Sequence, residues 1–250
     1  MPNRWYLGND IVDLTDSRHP GKAGDHRFLQ RVFSPRERED IRAAPNPDRA
    51  LWIRWAGKEA AFKTVSKALG APPTFVHPTF QVTVFAEPRN EADPPVTRFG
   101  QVAFRSFALP LRVETVGTSL HAVTWMPDPG HDVPPFLWGY EEVAGPDPNW
   151  KEVLESRFSR TEWDCVSHRH SALARLAARS SLASSLQVDE RELEIGCGPG
   201  KPGRRIPKVL LRGEELPVDL TLSHHGRLLA WAHLIPPEVS DGIWSQLKGR

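Results

Sequence analysis

The sequence predicts an α+β fold in two halves. Three observations carry that reading. Strand-like and helix-like segments are mixed without regular βαβ alternation. A proline-rich stretch, "MPDPGHDVPPFLWGYEEVAGPDPNW" (126–150), holds six prolines and three glycines and breaks both periodicities. Each flanking half ends in a similar apolar strand, "SLHAVTW" and "RLLAWAHL", a faint sign of internal repetition. The divisions are 1–125, a connector at 126–150, and 151–250.

In the first half, "WYLGNDIVDL" (5–14) reads as a strand and "HRFLQRVFSPREREDIRAA" (26–44) as a helix broken near Pro35. Residues 49–69 form a second helix. Strands follow at 79–86, 100–107, 111–116 and 119–126, rich in β-branched and aromatic residues. In the second half, 170–188 is a helix with Leu173, Leu176, Leu182 and Leu186 on its spacing. "RELEIGC" is a short strand, and "PVDLTLS" and "RLLAWAHL" flank "HHG" as a hairpin.

Bulk properties narrow the function. The chain has 250 residues, is 39% hydrophobic with nine Trp and eleven Phe, and can bury a large core. A net charge of +1 gives no basis for nonspecific nucleic-acid binding. Nothing reads as a signal peptide or a membrane span. Cys165 and Cys197 are read as neither a disulfide framework nor a metal site, which suits a reducing, cytoplasmic setting.

Two acids stand out. On the 49–69 helix, Trp52, Trp55, Phe62, Val65 and Leu69 share one face, and the gap in that stripe is Glu59. An intrahelical pair with Lys63, at i+4, is one reading; a cleft-facing carboxylate that binds a cation is the other. Asp10 poses the same question in a strand, where Asp is disfavoured. It shares a face with Gly8, a position that admits a close backbone or ligand. One acid on a strand and one on a helix suit Mg²⁺.

The second half offers groups for anions. Lys201 lies in the loop "GPGKP", Ser223 and His224 at a hairpin tip in "LSHHG", and Arg169, His170 and Ser171 at a helix start, where Ser171 is a natural N-cap. Each also has an ordinary structural reading. "GCGPGKP" is not a phosphate-binding P-loop, because Pro202 has neither the hydroxyl nor the N–H required.

Together, "GNDIVDL", "RVFSPRE" and "WAGKEAAFK" resemble the pattern GxD…RxF…(W/F)xxKEAxxK of the 4′-phosphopantetheinyl transferase superfamily. "RHSALARLAAR", "GKP" and "LSHHG" resemble the other portion of its two-half, surfactin-synthetase-activating-like members, with the halves in reversed order. The resemblance implies a pseudo-twofold pair of halves in one monomeric chain, each a small antiparallel sheet packed with helices. It implies that Mg²⁺ is held by Asp10 and Glu59, with Glu59 or a water taking a proton, and that Lys63 reaches the phosphate. Coenzyme A, the substrate, would be held across the halves by Lys201, Ser223 and His224, with Arg169, His170 and Ser171 around the 3′-phosphate and adenine. The acceptor would be a serine of an apo acyl or peptidyl carrier protein of fatty-acid, polyketide or peptide biosynthesis, and 3′,5′-ADP would leave. A second acid that two-half members carry is replaced by Val12, and Asp13 faces the other way, leaving that place to water. Kept order of contacts would make "RLLAWAHL" and "YLGNDIV" neighbouring strands. Arg27, Arg31, Arg36 and Arg38 are candidates for docking an acidic carrier, or else a solvated basic face. The competing functions are a coenzyme A-binding pseudoenzyme and a metal-dependent phosphoester hydrolase.

Overall fold

A computed structural model describes residues 5–85, 96–127, 136–198, 206–236 and 239. The chain divides into an N-terminal unit, Tyr6–Pro129, and a C-terminal unit, Gly130–Arg250 with Met1–Trp5. Both mix helices with antiparallel sheets, as the α+β reading expects.

The N-terminal unit opens with strand β1 (Leu7–Asp13), then helices α1 (His26–Val32), α2 (Pro35–Ala43) and α3 (Pro47–Ala68). Strands β2 (Gln81–Val84), β3 (Val96–Phe104), β4 (Phe107–Val116) and β5 (Ser119–Trp125) complete it. The five-stranded sheet runs β1-β5-β4-β3-β2, antiparallel throughout. The break near Pro35 has a local cause. Ser34 is extended, accepts from Glu37 N and starts a new helix in a capping box, with Pro35 in its first turn.

The face of α3 that meets the sheet is made of small residues. Ala56, Ala60 and Thr64 are fully buried there, and Gly8 of β1 lies so close that an added Cβ would stand 2.0 Å from Ala60 O. The close approach expected at Gly8 is therefore that of a helix backbone. The aromatic stripe is less buried than its spacing suggests. Trp55, Glu59 and Phe62 are half-buried, and Leu69, the C-cap, is 46% exposed.

The strand boundaries at 100–116 also differ from the sequence reading. β3 and β4 are joined at Arg105–Ser106, with Phe104 opposite Phe107 and Arg105 at positive φ, although no Gly or Asn marks the turn. Pro110 lies inside β4, in the stretch flanked by β3 alone, since pairing with β5 begins at Leu111. A missing N–H is tolerated at such an edge.

In the C-terminal unit, β6 (Leu137–Glu142) arises inside the proline-rich stretch. Helices α4 (Trp150–Glu155), α5 (Arg160–Trp163) and α6 (Arg169–Leu186) follow, then β7 (Leu193–Cys197), β8 (Pro207–Leu211), β9 (Glu214–Leu216), β10 (Asp219–His225) and β11 (Leu228–Leu234). They form two three-stranded sheets, β10-β11-β6 and β7-β8-β9. Within its sheet β11 is the central strand, paired with β10 on one edge and β6 on the other.

Each unit buries a carboxylate in a hydrogen-bonded network. In the N-terminal unit Glu37 closes the α2 capping box, binds Lys58 Nζ of α3 and accepts from Val82 N of β2 at 2.9 Å. In the C-terminal unit Glu162 closes the α5 capping box, accepts from Arg179 of α6 at 3.3 Å and from Ile195 N of β7 at 2.7 Å. Thr64 meets Thr124 of β5 through their hydroxyls at 2.7 Å. Ser185, at the same offset from Arg179 as Thr64 from Lys58, meets His233 of β11 at 3.3 Å. Each unit thus locks two helices to its sheets with one buried carboxylate.

One expectation fails outright. Cys165 and Cys197 are joined in a disulfide, with Cα atoms 6.0 Å apart. Spacing alone hid the pairing, because Cys165 follows α5 and Cys197 ends β7, segments that only folding brings together.

Candidate active site

Strand β1 and helix α3 bring three of the expected residues together. Lys63 Nζ lies 3.6 Å from Asp10 Oδ1 and donates to Asn9 O at 2.6 Å. Burial pushes the Asp10 carboxyl up to about 7; Lys63 opposes the rise and the Glu59 charge adds to it. Two carboxylates that feel each other and one ammonium thus meet where β1 packs on α3. Oxygen-only donors of this kind fit a hard divalent ion such as Mg²⁺.

Glu59 is also met by a residue that the motifs do not include. His77 lies in a short 3₁₀ turn, His77–Thr79, and its Nε2 stands 3.7 Å from Glu59 Oε1. Its ring stacks on Trp55 at 5.0 Å between centroids and lies 4.2 Å from that of Phe75. The only sequence signal was a histidine beside a proline after a helix, which is not specific.

Lys58, next to Glu59, plays no part in the acidic cluster. It is fully buried and donates to both oxygens of Glu37 and to His77 O and Phe80 O. Burial lowers its pKa and Glu37 opposes that shift. Arg27, Arg31 and Arg36 are exposed on α1 and α2, and Arg38 is half-buried.

The C-terminal unit gathers most of the anion-binding candidates at the start of α6. The N-cap is His168, not Ser171: its Nδ1 accepts from Ser171 N at 3.1 Å, while Ser171 Oγ takes a bond from Arg175 at 2.7 Å. A ring nitrogen does there what a hydroxyl was expected to do. Arg169 donates to Ala144 O and Gly145 O, at 2.9 and 2.8 Å. His224 lies 4.4 Å from His168 and 5.9 Å from His170, centroid to centroid. Burial, then neighbouring charged groups, lowers the pKa of His168 and His170. Ser223 and His224 belong to strand β10, and the hairpin turns at Gly226 and Arg227 instead. Ser223 is 5% exposed, and its Oγ has no hydrogen-bond partner among the described residues. Lys201 lies outside the described residues.

Ser180 and Ser184 stand at the offsets from Arg179 that Glu59 and Lys63 hold from Lys58. Gly139, opposite Trp231, takes the place that Asp10 holds opposite Ala122. Added there, a Cβ would meet the Trp231 ring at 2.6 Å.

Residues 6–109, a segment that includes Asp10, Glu59 and Lys63, match the model of the 4′-phosphopantetheinyl transferase superfamily. Among curated relatives, the chain is similar to the holo-[acyl-carrier-protein] synthases of Chlamydia caviae, at 32% identity over 26% of this chain and 53% of the relative, and of Azoarcus sp., at 35% over 27% and 54%. A third, from Chloroflexus aggregans, is 39% identical over 26% of this chain and 51% of the relative. The chain spans about half the length of the curated relatives it matches. No described helix is long and apolar enough to cross a membrane.

Proposed function

We propose that this protein is a 4′-phosphopantetheinyl transferase, moving the phosphopantetheine arm of coenzyme A onto a serine of an apo acyl or peptidyl carrier protein. The observation that carries the proposal is the Asp10–Lys63–Glu59 cluster, built on the two elements that the matched family segment contains. The holo-[acyl-carrier-protein] synthase relatives support the same reaction class.

Asp10 and Glu59 would hold Mg²⁺, which when bound would neutralise charge on the pyrophosphate. Lys63, anchored on Asn9 O, adds a fixed positive charge beside the phosphoryl group. Glu59 is the proton acceptor for the attacking serine hydroxyl, directly or through a water. The bond formed joins the serine oxygen to the β-phosphorus, and 3′,5′-ADP leaves with the electrons of the broken phosphoanhydride bond. Lys201, Ser223 and His224 bind the coenzyme phosphates, with Arg169, His170 and Ser171 around the 3′-phosphate and adenine. The buried, unpartnered Ser223 hydroxyl and the His224–His170 proximity support that assignment. His168, as the α6 cap, belongs with them. The duplicated, two-half character is part of the proposal, supported by the similar capping-box networks, and the reversed order rests on the order of the motifs alone.

The test is incubation with coenzyme A, Mg²⁺ and an apo carrier, followed by intact mass. One added phosphopantetheine arm is the expected result. Free phosphopantetheine means a hydrolase, and binding without turnover means a pseudoenzyme.

A further inference from the structure

Glu59 carries two duties in the proposed reaction, and a free glutamate is badly suited to either. Its terminal torsion is broad, so its carboxylate turns easily. A cation and a proton each need a lone pair aimed one way. Something has to fix the carboxylate plane.

His77 is placed to do so. Its Nε2 stands 3.7 Å from Oε1 of Glu59, beyond a hydrogen bond but within reach of one after a small turn of the carboxylate. The imidazole itself is firmly held. Its plane rests on Trp55, one helical turn before Glu59, and against Phe75, which in turn stacks on Phe62 at 4.4 Å. Its backbone is pinned too: His77 O accepts from the buried ammonium of Lys58 at 3.2 Å and from Phe80 N at 3.1 Å. The chain therefore spends a fully buried lysine and several aromatic rings on fixing this turn. Both His77 and Glu59 side chains remain 26% exposed, so the pair borders a solvent-reachable site.

We propose that His77 is a positioning residue for Glu59. Its ring N–H holds one carboxylate oxygen and leaves the other directed at the cation and the substrate hydroxyl. The inference rests on the transferase reading for its chemistry, but its geometry stands on α3 and the 77–79 turn alone. The role requires only an N–H donor, which the neutral ring supplies.

Two substitutions separate this role from packing. His77→Phe keeps a ring against Trp55 and Phe75 and removes the donor. His77→Gln keeps an N–H donor and loses the ring. Mn²⁺ titration of the full chain, read by electron paramagnetic resonance, is the first measurement. Outer partners of metal-binding carboxylates typically contribute roughly 10-fold or more to affinity. His77→Phe is expected to weaken Mn²⁺ binding by about that factor, and His77→Gln to stay within about 3-fold of wild type. In the transfer assay, His77→Phe is expected to lower kcat while KM for coenzyme A holds. The opposite order, with Phe retaining affinity and Gln losing it, assigns His77 to packing and overturns the proposal. Wild-type behaviour in both variants overturns it too, as does a wild-type protein that binds no Mn²⁺. A wild type that binds Mn²⁺ but transfers nothing refutes the transferase reading, while the two variants still decide the role of His77.

Discussion

Lys58 Nζ lies 2.7 and 2.8 Å from the two carboxylate oxygens of Glu37, with both side chains out of water. The same carboxylate caps α2 and accepts from β2, so one ion pair joins two helices to a sheet edge. Such a pair is costly to bury and costlier to break, because the surviving charge has no solvent.

Lys58→Met is therefore expected to destabilise the N-terminal unit by about 3–5 kcal/mol in urea denaturation. Glu37→Leu combined with Lys58→Met should cost less than the sum of the single changes. Arg179→Met tests the matching pair in the C-terminal unit. A loss below about 1 kcal/mol for Lys58→Met, as for a surface pair, contradicts the buried role.

Asp10→Ala and Glu59→Ala are each expected to reduce transfer by about 100-fold or more, with the folded circular dichroism spectrum retained. Each change removes a half-buried carboxylate and no core contact. Near wild-type turnover at limiting Mg²⁺ in either variant removes that residue from the cation site.

Asp10 makes the metal-free protein sensitive to pH. Its carboxyl is raised from 3.8 to about 7. The folded state therefore favours the neutral form, and the stability this provides is full below about pH 4 and lost as the pH rises through about 7. Asp10→Asn should melt above wild type at pH 8 in EDTA, with the gap shrinking toward pH 4. Added Mg²⁺ should raise the melting temperature of wild type more than that of the variant. A gap that does not change with pH contradicts the burial of Asp10 as an acid.

The disulfide closes a loop with a sequence separation of 32 residues. Loop-closure entropy puts its contribution at about 3–4 kcal/mol. Cys165→Ser and Cys197→Ser should melt below wild type, and dithiothreitol should lower the wild type alone. Alkylation showing two free thiols in the folded, non-reduced protein contradicts the cross-link.

Much of this was legible in the sequence, for physical reasons. Periodicity located α3 and α6, because each alternates small or apolar residues with charge over several turns. It misjudged which face of α3 meets the sheet. Hydrophobicity pointed at Trp55 and Phe62, while contact with β1 is made by Ala60, Thr64 and the missing Cβ of Gly8. Asp10 and Glu59 stood out as candidates because acids on apolar elements conflict with burial, and Lys63 because it follows Glu59 by one helical turn. His77 and His168 did not, since a histidine in a turn or before a helix is ordinary until its neighbours are known. Strand β6 was masked by the prolines around it, and β8 and β9 by their shortness.

The measurement closest to the central claim follows both products of one reaction. Purified protein, coenzyme A, Mg²⁺ and an apo carrier are mixed, the carrier is weighed intact, and released nucleotide is quantified. The account expects holo-carrier and 3′,5′-ADP in equal amounts, abolished by EDTA and by Glu59→Ala. A carrier of unchanged mass, with coenzyme A either intact or hydrolysed, would contradict it.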